Sequence, residues 1–492
     1  MIFQKMLEKN PDQILDATES FQEAAYRGHY EVCRFILKEI ENKVLDVNPK
    51  RDHRDNDKTI LHFAAEDGYL EVFKLIINNV EDKNPSNDGL TPFHVAARHG
   101  NLNICKLIVK NIGKEYPRDN HGRTALHDAA QFGHFEVCEY LLHKFDDQNP
   151  SDITGWTPLH LAAEECHLMS KSQAYKVCKL IIDHISDKNP KDLEGNTPLH
   201  GAVLGDNFRL YKYLCNRVIN KNPENNEGVT PFHVAVEEGH LNFCKFIIKK
   251  LKDKNPKDAN GNTALHYAAF GNGNLEIYRY IAENLDDKNP TQNNGETALH
   301  LAAKKGKIEI VEYIIGNVHD RNPTDDNGLT LLHHATLHGH LEIYKCIAEN
   351  LEDKNPAIND GWTPLNFAIE ERKLEFVKYI IENVQDKNSL LTPIYQAVLK
   401  GDFEIFKLFA DNVEVRNPGF HFTLLAYFCK TIIGGAVDPD SEIAAGRSAI
   451  LDLITEMEDG TLPRSYKQKE AENSDGFFKK LMNSIMNFGR LK

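Results

Sequence analysis

Histidine is the residue type whose spacing first suggests chemistry in this sequence. One histidine recurs within a Thr-x-x-His motif at intervals close to 33 residues. Regular spacing of this kind keeps the copies apart instead of placing them around one metal ion, so we predict hydrogen bonds between neighbouring repeats. The nine copies are His62, His94, His127, His160, His200, His233, His266, His300 and His333.

A tighter histidine group occurs in the string HHATLHGH, where His334 and His338 are four residues apart and His340 follows. No carboxylate or cysteine accompanies them in the pattern, so the zinc signal is weak and solvated loop histidines are expected. The chain contains no nucleophile elbow, phosphate-binding loop, HExxH string or kinase signature. We therefore predict a protein that is not an enzyme and that has no metal and no cofactor.

The elements that position these histidines form a repeat, as the string LKDKNPKDANGNTALHYAA at residues 251–269 illustrates. Asp, Asn and Gly predict a tight turn, and the motif Thr predicts a helix N-cap, often with Pro at the first helical position. A short helix with paired alanines, a glycine loop and a second amphipathic helix follow. The recurrent DKNP string is interpreted as scaffolding. Asn near the end of the second helix predicts a left-handed C-cap at Asn79, Asn284, Asn317, Asn350, Asn383 and Asn412.

The repeated letters resemble the ankyrin-repeat family, with close matches in DLEGNTPLH (192–200) and DNGLTLLHHATLHGHLEIYKCI (326–347). The resemblance covers residues 19 to about 430 and about 12–13 units. It implies an all-α repeat solenoid of stacked helix-loop-helix ankyrin repeats with short β-hairpin fingers. It also implies that the concave side of the array binds other proteins.

The chain is accordingly divided into four parts. Residues 1–18 are expected to form an N-terminal cap, 19–437 the ankyrin-repeat array, and 438–459 a closing helix. Residues 460–492 form a basic amphipathic C-terminal tail. Seven extra residues within 164–176 are interpreted as a tolerated surface insertion.

Composition narrows the function classes. The 492 residues carry a formal charge of −15, which argues against nucleic-acid binding. The first residues do not resemble a signal peptide, and no apolar window of about twenty residues could span a membrane. The nine cysteines have spacings unlike those of a disulfide framework. We expect a cytoplasmic monomer with reduced thiols, nuclear residence not being excluded.

The candidate partner-binding residues are those that vary between repeats. They are the pair after the paired alanines and the residue before the motif Thr. Two units combine Trp with a Glu pair, which favours a protein partner with a basic segment, because Trp is common in binding hot spots and acids attract cations. The set comprises Arg98, His99, Phe132, Trp156, Glu164, Glu165, Glu237, Glu238, Lys304, Lys305, Trp362, Glu370 and Glu371.

Alternatives stay open at this point. The Glu pairs can be a solvated face, and Trp can be an ordinary residue of this repeat. The favoured function is a non-catalytic scaffold or adaptor. A membrane-associated scaffold would instead use residues 474–492 as an amphipathic anchor, the only predicted membrane contact. A substrate-receptor subunit of a larger enzyme complex is a third class, although we identify no docking box for it.

Overall fold

The computed structural model describes residues 12–39, 58–87, 89–111, 117–164, 168–272, 274–385, 390–412, 443 and 445–451. Contacts divide the chain into a first unit, Met1–Asn293, and a second unit, Asn294–Lys492. Within the described residues all regular structure is helical apart from isolated bridges, which include Asn87 to Leu90 and Thr324 to Thr330. The predicted all-α repeat architecture is confirmed, whereas the β-hairpin fingers are not.

The first unit consists of helix pairs, in which the first helix of each repeat packs on the first helix of the next. Its first described helix, Asp12–Tyr26, crosses position 18, which we predicted as the boundary between the N-terminal cap and the repeat array. Its elements are α1 (Asp12–Tyr26), α2 (Tyr30–Glu39), α3 (Ile60–Asp67), α4 (Leu70–Ile77), α5 (Pro92–Arg98), α6 (Leu102–Val109), α7 (Ala125–Gln131), α8 (Phe135–Lys144), α9 (Pro158–Glu164), α10 (Lys171–His184), α11 (Pro198–Leu204), α12 (Phe208–Cys215), α13 (Pro231–Glu237), α14 (Leu241–Ile248), α15 (Ala264–Phe270) and α16 (Leu275–Ala282).

The second unit repeats the same pairing, and a helical segment over 445–451 follows. Residues 452–492 lie outside the described residues, as does most of the predicted closing helix. No helix in the part of the chain that the structure describes is long and apolar enough to cross a membrane. The elements of this unit are α17 (Ala298–Lys305), α18 (Ile308–Ile315), α19 (Leu331–His338), α20 (Leu341–Ala348), α21 (Pro364–Glu370), α22 (Leu374–Asn383), α23 (Leu391–Lys400) and α24 (Phe403–Asn412).

The predicted Thr N-caps are present in most repeats. Thr124 is extended, with φ −113° and ψ 166°, and directly precedes α7. Pro231 occupies the first position of α13, where its missing N–H leaves no helical hydrogen bond unmade. The prediction is wrong for the last anchor, because α23 begins at Leu391 and therefore contains both Thr392 and Pro393.

In most repeats the finger is a turn closed by an aspartate or asparagine side chain. Asp258 Oδ1 accepts hydrogen bonds from the N–H groups of Asn260 at 2.9 Å and Asn262 at 2.8 Å. Gly261 has a φ of +83°, and a Cβ there would lie 2.5 Å from Asn293 Oδ1. Adjacent fingers also bond through their backbones, since Asn293 N–H donates to Asn260 O. The side-chain bonds accompany a backbone bond across the finger, from Asp258 N–H to Asn262 O at 2.9 Å, and the described fingers form no strand.

The DKNP strings are closed in the same way. In the copy at 253–256, Asp253 Oδ1 accepts the Asn255 N–H at 2.9 Å, and the other copies repeat this bond. These contacts are internal, which agrees with the scaffolding interpretation.

The predicted left-handed Asn C-caps are wrong. Asp206 and Arg372 are the non-glycine residues with positive φ in the described chain. Each predicted Asn instead donates its side-chain amide to the carbonyl four residues earlier, as Asn79 Nδ2 does to Leu75 O at 2.7 Å. The helix end is capped by the side chain, so the backbone needs no left-handed residue. The same bond is made by Asn284, Asn317, Asn350, Asn383 and Asn412.

The core lies between the two helices of each repeat and between neighbouring repeats. One slot of the second helix holds fully buried Cys105, Cys138 or Cys244 in some repeats and buried Tyr278 or Tyr344 in others. Burial raises the pKa of the Cys105 and Cys244 thiols to about 12, so they are protonated and poorly nucleophilic. The seven described cysteines are free, as predicted.

Candidate partner-binding surface

Six of the nine anchor histidines connect one repeat to the next through a hydrogen bond. The Thr124 N–H donates to His127 Nδ1 at 3.0 Å, so this nitrogen is the acceptor and Nε2 carries the proton. His127 Nε2 then donates to Trp156 O of the following repeat at 3.1 Å. The predicted hydrogen bonds between repeats are confirmed at His62, His94, His127, His160 and His200. His233 departs from the pattern and bonds to Pro256 O.

Burial controls the protonation of these rings. It lowers the pKa of His62, His127 and His200 to about 4, against about 6.5 for a free imidazole. The anchors are therefore neutral near pH 7. This matches the single tautomer that their two hydrogen bonds require.

Arg98, one of the candidate residues, is engaged inside the first unit. Its Nε and Nη2 atoms donate to Asp128 Oδ1 at 3.2 and 2.9 Å, and the Asp128 carboxylate is buried. The guanidinium also lies 5.9 Å from the centroid of the Phe132 ring. Arg98 thus compensates a buried charge between α5 and α7, and its removal would leave that charge unpaired. His99, next to it, is exposed.

Trp156 is half-buried in the finger that precedes α9. Its backbone N–H donates to Asp152 Oδ1 at 2.9 Å, and its ring centroid lies 6.3 Å from that of His160. Glu164 ends α9 and is half-buried, and Gly201 of α11 lies against it. Glu165 lies outside the described residues, as do positions 166 and 167 of the predicted 164–176 insertion, whose last residues form the start of α10.

Glu237 and Glu238 stand at the end of α13, the first half-buried and the second exposed. Burial, and then the adjacent Glu238 charge, raise the pKa of the Glu237 carboxyl. Neither glutamate makes an ion pair with a described residue. This pair is an uncompensated negative charge at a helix C-terminus, where the helix dipole also disfavours anions.

The candidate residues in the second unit differ in their contacts with other side chains of the unit. Lys304 pairs with the buried Glu296 carboxylate, while Lys305 is exposed. Glu370 accepts Lys400 Nζ at 2.8 Å and Gln396 Nε2 at 2.9 Å, and Glu371 is exposed. The half-buried Trp362 ring packs on Phe367 at a centroid distance of 5.1 Å.

A buried charged cluster in the second unit was not expected from the sequence. His334 Nε2 lies 3.1 Å from Asp325 Oδ2 and 3.8 Å from Glu296 Oε1, and all three side chains are almost fully buried. We predicted solvated loop histidines here, which is wrong for His334 because α19 buries it. His340 also has a partner, since its Nε2 bonds to Lys304 O at 3.0 Å.

These three residues are the group within the described chain that could hold a metal ion. Tetrahedral zinc would separate neighbouring ligand atoms by about 3.3–3.4 Å, close to the observed spacings. The Lys304 ammonium, however, already bonds to the same Glu296 oxygen. Burial would raise the pKa of Glu296, but the hydrogen bond and charge of Lys304 lower it. Lys304 therefore already neutralises the Glu296 carboxylate, and we assign the group no metal.

The sequence offered one usable signal for this cluster, which is a polar residue directly after the anchor histidine. That position is Leu301 in α17 and Phe367 in α21, so an imidazole there departs from the neighbouring repeats. The carboxylate partners could not be assigned from spacing, because Glu296 comes from the preceding repeat.

Comparison with known protein families agrees with this geometry. A family model described as "Ankyrin repeats (3 copies)" matches overlapping stretches from residue 4 to residue 418. The chain belongs to the ankyrin-repeat family. A search of curated proteins found no match. The matched stretches are 4–87, 21–120, 61–152, 113–171, 166–258, 216–293, 248–325, 265–358, 314–390 and 349–418.

Ankyrin repeats are generally protein–protein interaction modules, so family membership fits a binding role. The ankyrin anchors and the buried ion cluster serve the scaffold.

Proposed function

We propose that this ankyrin-repeat chain is a non-catalytic cytoplasmic adaptor that binds a basic segment of a partner protein. The observation that carries the proposal is the pair Glu237 and Glu238, whose charges have no cation partner among the described residues. A Lys or Arg from a partner would relieve both the mutual repulsion and the unfavourable helix dipole. Buried, protonated thiols suit a reducing compartment.

The contrast with the other candidate positions narrows the surface. Arg98, Lys304 and Glu370 each form an internal ion pair, so their charges are already neutralised. We assign them to stability and place recognition on the first-unit acids, with Trp156 as the aromatic contact. A half-buried Trp loses little side-chain entropy on binding, which is one reason why Trp is common in hot spots.

Titration of the full chain with an Arg/Leu peptide of about ten residues tests the proposal. Trp362→Phe leaves Trp156 as the single tryptophan of the two, so its fluorescence reports on this surface. We expect saturable binding with a change in Trp156 emission. Glu237→Gln with Glu238→Gln should weaken the affinity about tenfold, because two attractive charges are lost.

Glu370→Gln with Glu371→Gln is the matched control, since it makes the same charge change at the same repeat positions. Glu370 is already paired with Lys400, so we expect less than about a twofold change in affinity. Equal weakening by the two double variants would show a net-charge effect and would remove the assignment to Glu237 and Glu238. Absence of peptide binding to the wild-type chain would refute the basic-partner proposal.

A further inference from the structure

Two consecutive second helices and the loops that follow them carry an unusual charge. Residues 208–222, which begin at α12, contain four Lys or Arg and no Asp or Glu, and residues 241–255, which begin at α14, contain five Lys and one Asp. The equivalent segment directly before them, 175–189, contains three Lys and two Asp, and the segments beyond these three are acidic. Residues 135–149 contain one Lys against four Asp or Glu, and residues 275–289 contain two Lys or Arg against four. Repeat structure does not require this positive charge, since the same elements form without it.

The cations of these segments are exposed and unpaired. The exception is Lys245, whose Nζ lies 3.5 Å from Glu276. In other repeats the second-helix lysine is neutralised within its own helix, as Lys74 is by Glu71 at 2.6 Å. We use the name basic surface for the exposed Lys and Arg residues of 208–222 and 241–255 that form no ion pair with a described Asp or Glu. They are Arg209, Lys212, Arg217, Lys221, Lys249, Lys250, Lys252 and Lys254.

Aromatic rings hold several of these cations in place. The Arg209 guanidinium lies 4.3 Å from the Tyr175 ring centroid, and that of Arg217 lies 3.8 Å from the Tyr213 centroid. The two tyrosines pack edge to face at 5.4 Å, which joins α10 to α12. A guanidinium stacked on a ring keeps its edge N–H groups free for bidentate bonds to a carboxylate, at a reduced entropic cost.

A cleft lies between the loops that follow α12 and α14. It has a volume of about 470 Å³, and its lining includes Lys221, Lys250, Lys252 and the fully exposed Ile219. Glu224 and Asp253 also line it, so cations outnumber acids there. An apolar side chain beside several ammonium groups suits a ligand that alternates acidic and aliphatic side chains.

We propose that the basic surface docks a short acidic segment of a polypeptide. Helices in contact are about 8–10 Å apart, so α10, α12 and α14 together span about 20 Å, which is about six residues of extended chain. A longer polyanion or a membrane plane would also meet the acidic segments 135–149 and 275–289. A peptide that ends within the patch avoids that repulsion. This surface differs from the helix-end acids of the proposed function, and its occupant has the opposite charge.

Fluorescence anisotropy of a labelled Glu/Asp/Leu peptide of about ten residues, titrated with the full chain, tests the inference. We expect saturable binding that weakens as NaCl rises from about 50 to about 200 mM, because the contacts are exposed. Changing Arg209, Arg217 and Lys250 together to Glu should weaken the affinity at least about tenfold. Glu237→Gln with Glu238→Gln should leave it unchanged, which separates this surface from the adaptor proposal.

The charge-matched control changes Lys74, Lys345 and Lys378 to Glu. These lysines lie on the second helices α4, α20 and α22, so net charge falls equally at a different place, and we expect less than about a twofold change. Thermal melts of both triple variants confirm folding. Equal weakening by the two triples, or no peptide binding by the wild-type chain, would overturn the proposal. The proposal would also be overturned by tighter binding to phosphatidylserine vesicles or to a single-stranded oligonucleotide, if changing Arg209, Arg217 and Lys250 to Glu abolishes that binding.

Discussion

The residue after the anchor histidine contacts the finger of its own repeat in both units, but by different chemistry. In the first unit, Tyr267 OH donates to Asp258 Oδ2 at 2.8 Å. In the second unit, His334 Nε2 lies 3.1 Å from Asp325 Oδ2. His334 is also 3.8 Å from Glu296, which pairs with Lys304. The same backbone positions therefore hold a phenol donor to a carboxylate in one repeat and, in the other, an imidazole beside the Glu296–Lys304 ion pair.

This difference shows how a single substitution changes which charges the surrounding residues must neutralise. A phenol is neutral over the physiological range, so the Asp258 contact needs no further charge. Burial would raise the pKa of Asp258, but hydrogen bonds from Asn262, Tyr267 and Asn260 lower it. Burial, and then the Lys304 charge, lower the pKa of His334, so its neutral form is favoured. The histidine version of the contact is sensitive to acid, and the tyrosine version is not.

The largest expected effect is loss of stability on acidification. The pKa values of His300 and His333 fall to about 4 in the folded chain, and that of His334 is lowered as well. The stabilisation from keeping these rings neutral is complete above the unfolded pKa of about 6.5. It is lost as the pH falls from there through the pKa values of the folded chain, at about 1.4 kcal/mol per pH unit for each group. Hydrogen exchange at about pH 7 and about pH 5 should show a greater loss of protection in α19 than in α15.

His334→Tyr is the control for this pH effect, because it places the first-unit residue in the second unit. The variant should lose less protection in α19 on acidification than the wild type. Equal losses would show that His334 does not contribute to the acid response and would remove the contrast between the two contacts.

The second prediction concerns the lysine that completes the ion cluster. Lys304→Met leaves the buried Glu296 carboxylate without its cation, so we expect the free energy of unfolding of the second unit to fall by about 3 kcal/mol. Urea denaturation measures the change. Adding Glu296→Gln to Lys304→Met should recover more than half of it, since the unpaired Glu296 charge is then removed. Lys345→Met, which breaks an exposed pair with Glu342, should cost less than about 0.5 kcal/mol.

The smallest expected effect is at the neutral contact. Tyr267→Phe removes one hydrogen bond from Asp258, which keeps those from Asn260 and Asn262, so we expect a loss of about 1 kcal/mol. The loss, measured by urea denaturation, should be the same at about pH 7 and about pH 5, where neither partner changes its protonation. Tyr280→Phe is the control and should change stability by less than about 0.5 kcal/mol. A loss at Tyr267 as large as that at Lys304 would contradict the distinction between neutral and charged contacts.

Local features of the repeat could be predicted from the sequence because they depend on residues a few positions apart. Thr124 as N-cap and Gly261 in a left-handed turn are examples, since each follows from its neighbours. The Asn C-caps were predicted at the right positions with the wrong mechanism. Asn79 can satisfy a helix end through a left-handed backbone or through its side chain, and the sequence does not distinguish the two.

For the candidate site, the sequence identified which positions vary between repeats but not whether their charges have a partner. Arg98, Glu237 and Glu370 read alike as charged helix ends, yet Arg98 and Glu370 are neutralised by partners and Glu237 has no cation partner among the described residues. The partners Asp128 and Lys400 each come from the following repeat.

By itself the sequence determined the repeat, its helices, the capping residues and the family, because these depend on contacts within one unit of about 33 residues. Tertiary structure alone decided which charges are compensated. Packing brings Glu296 to His334 and leaves Arg217 and Lys250 in solvent, and no spacing rule within a repeat specifies either result. The cost of a charge depends on its burial and its nearest counter-charge, and both are properties of the folded chain.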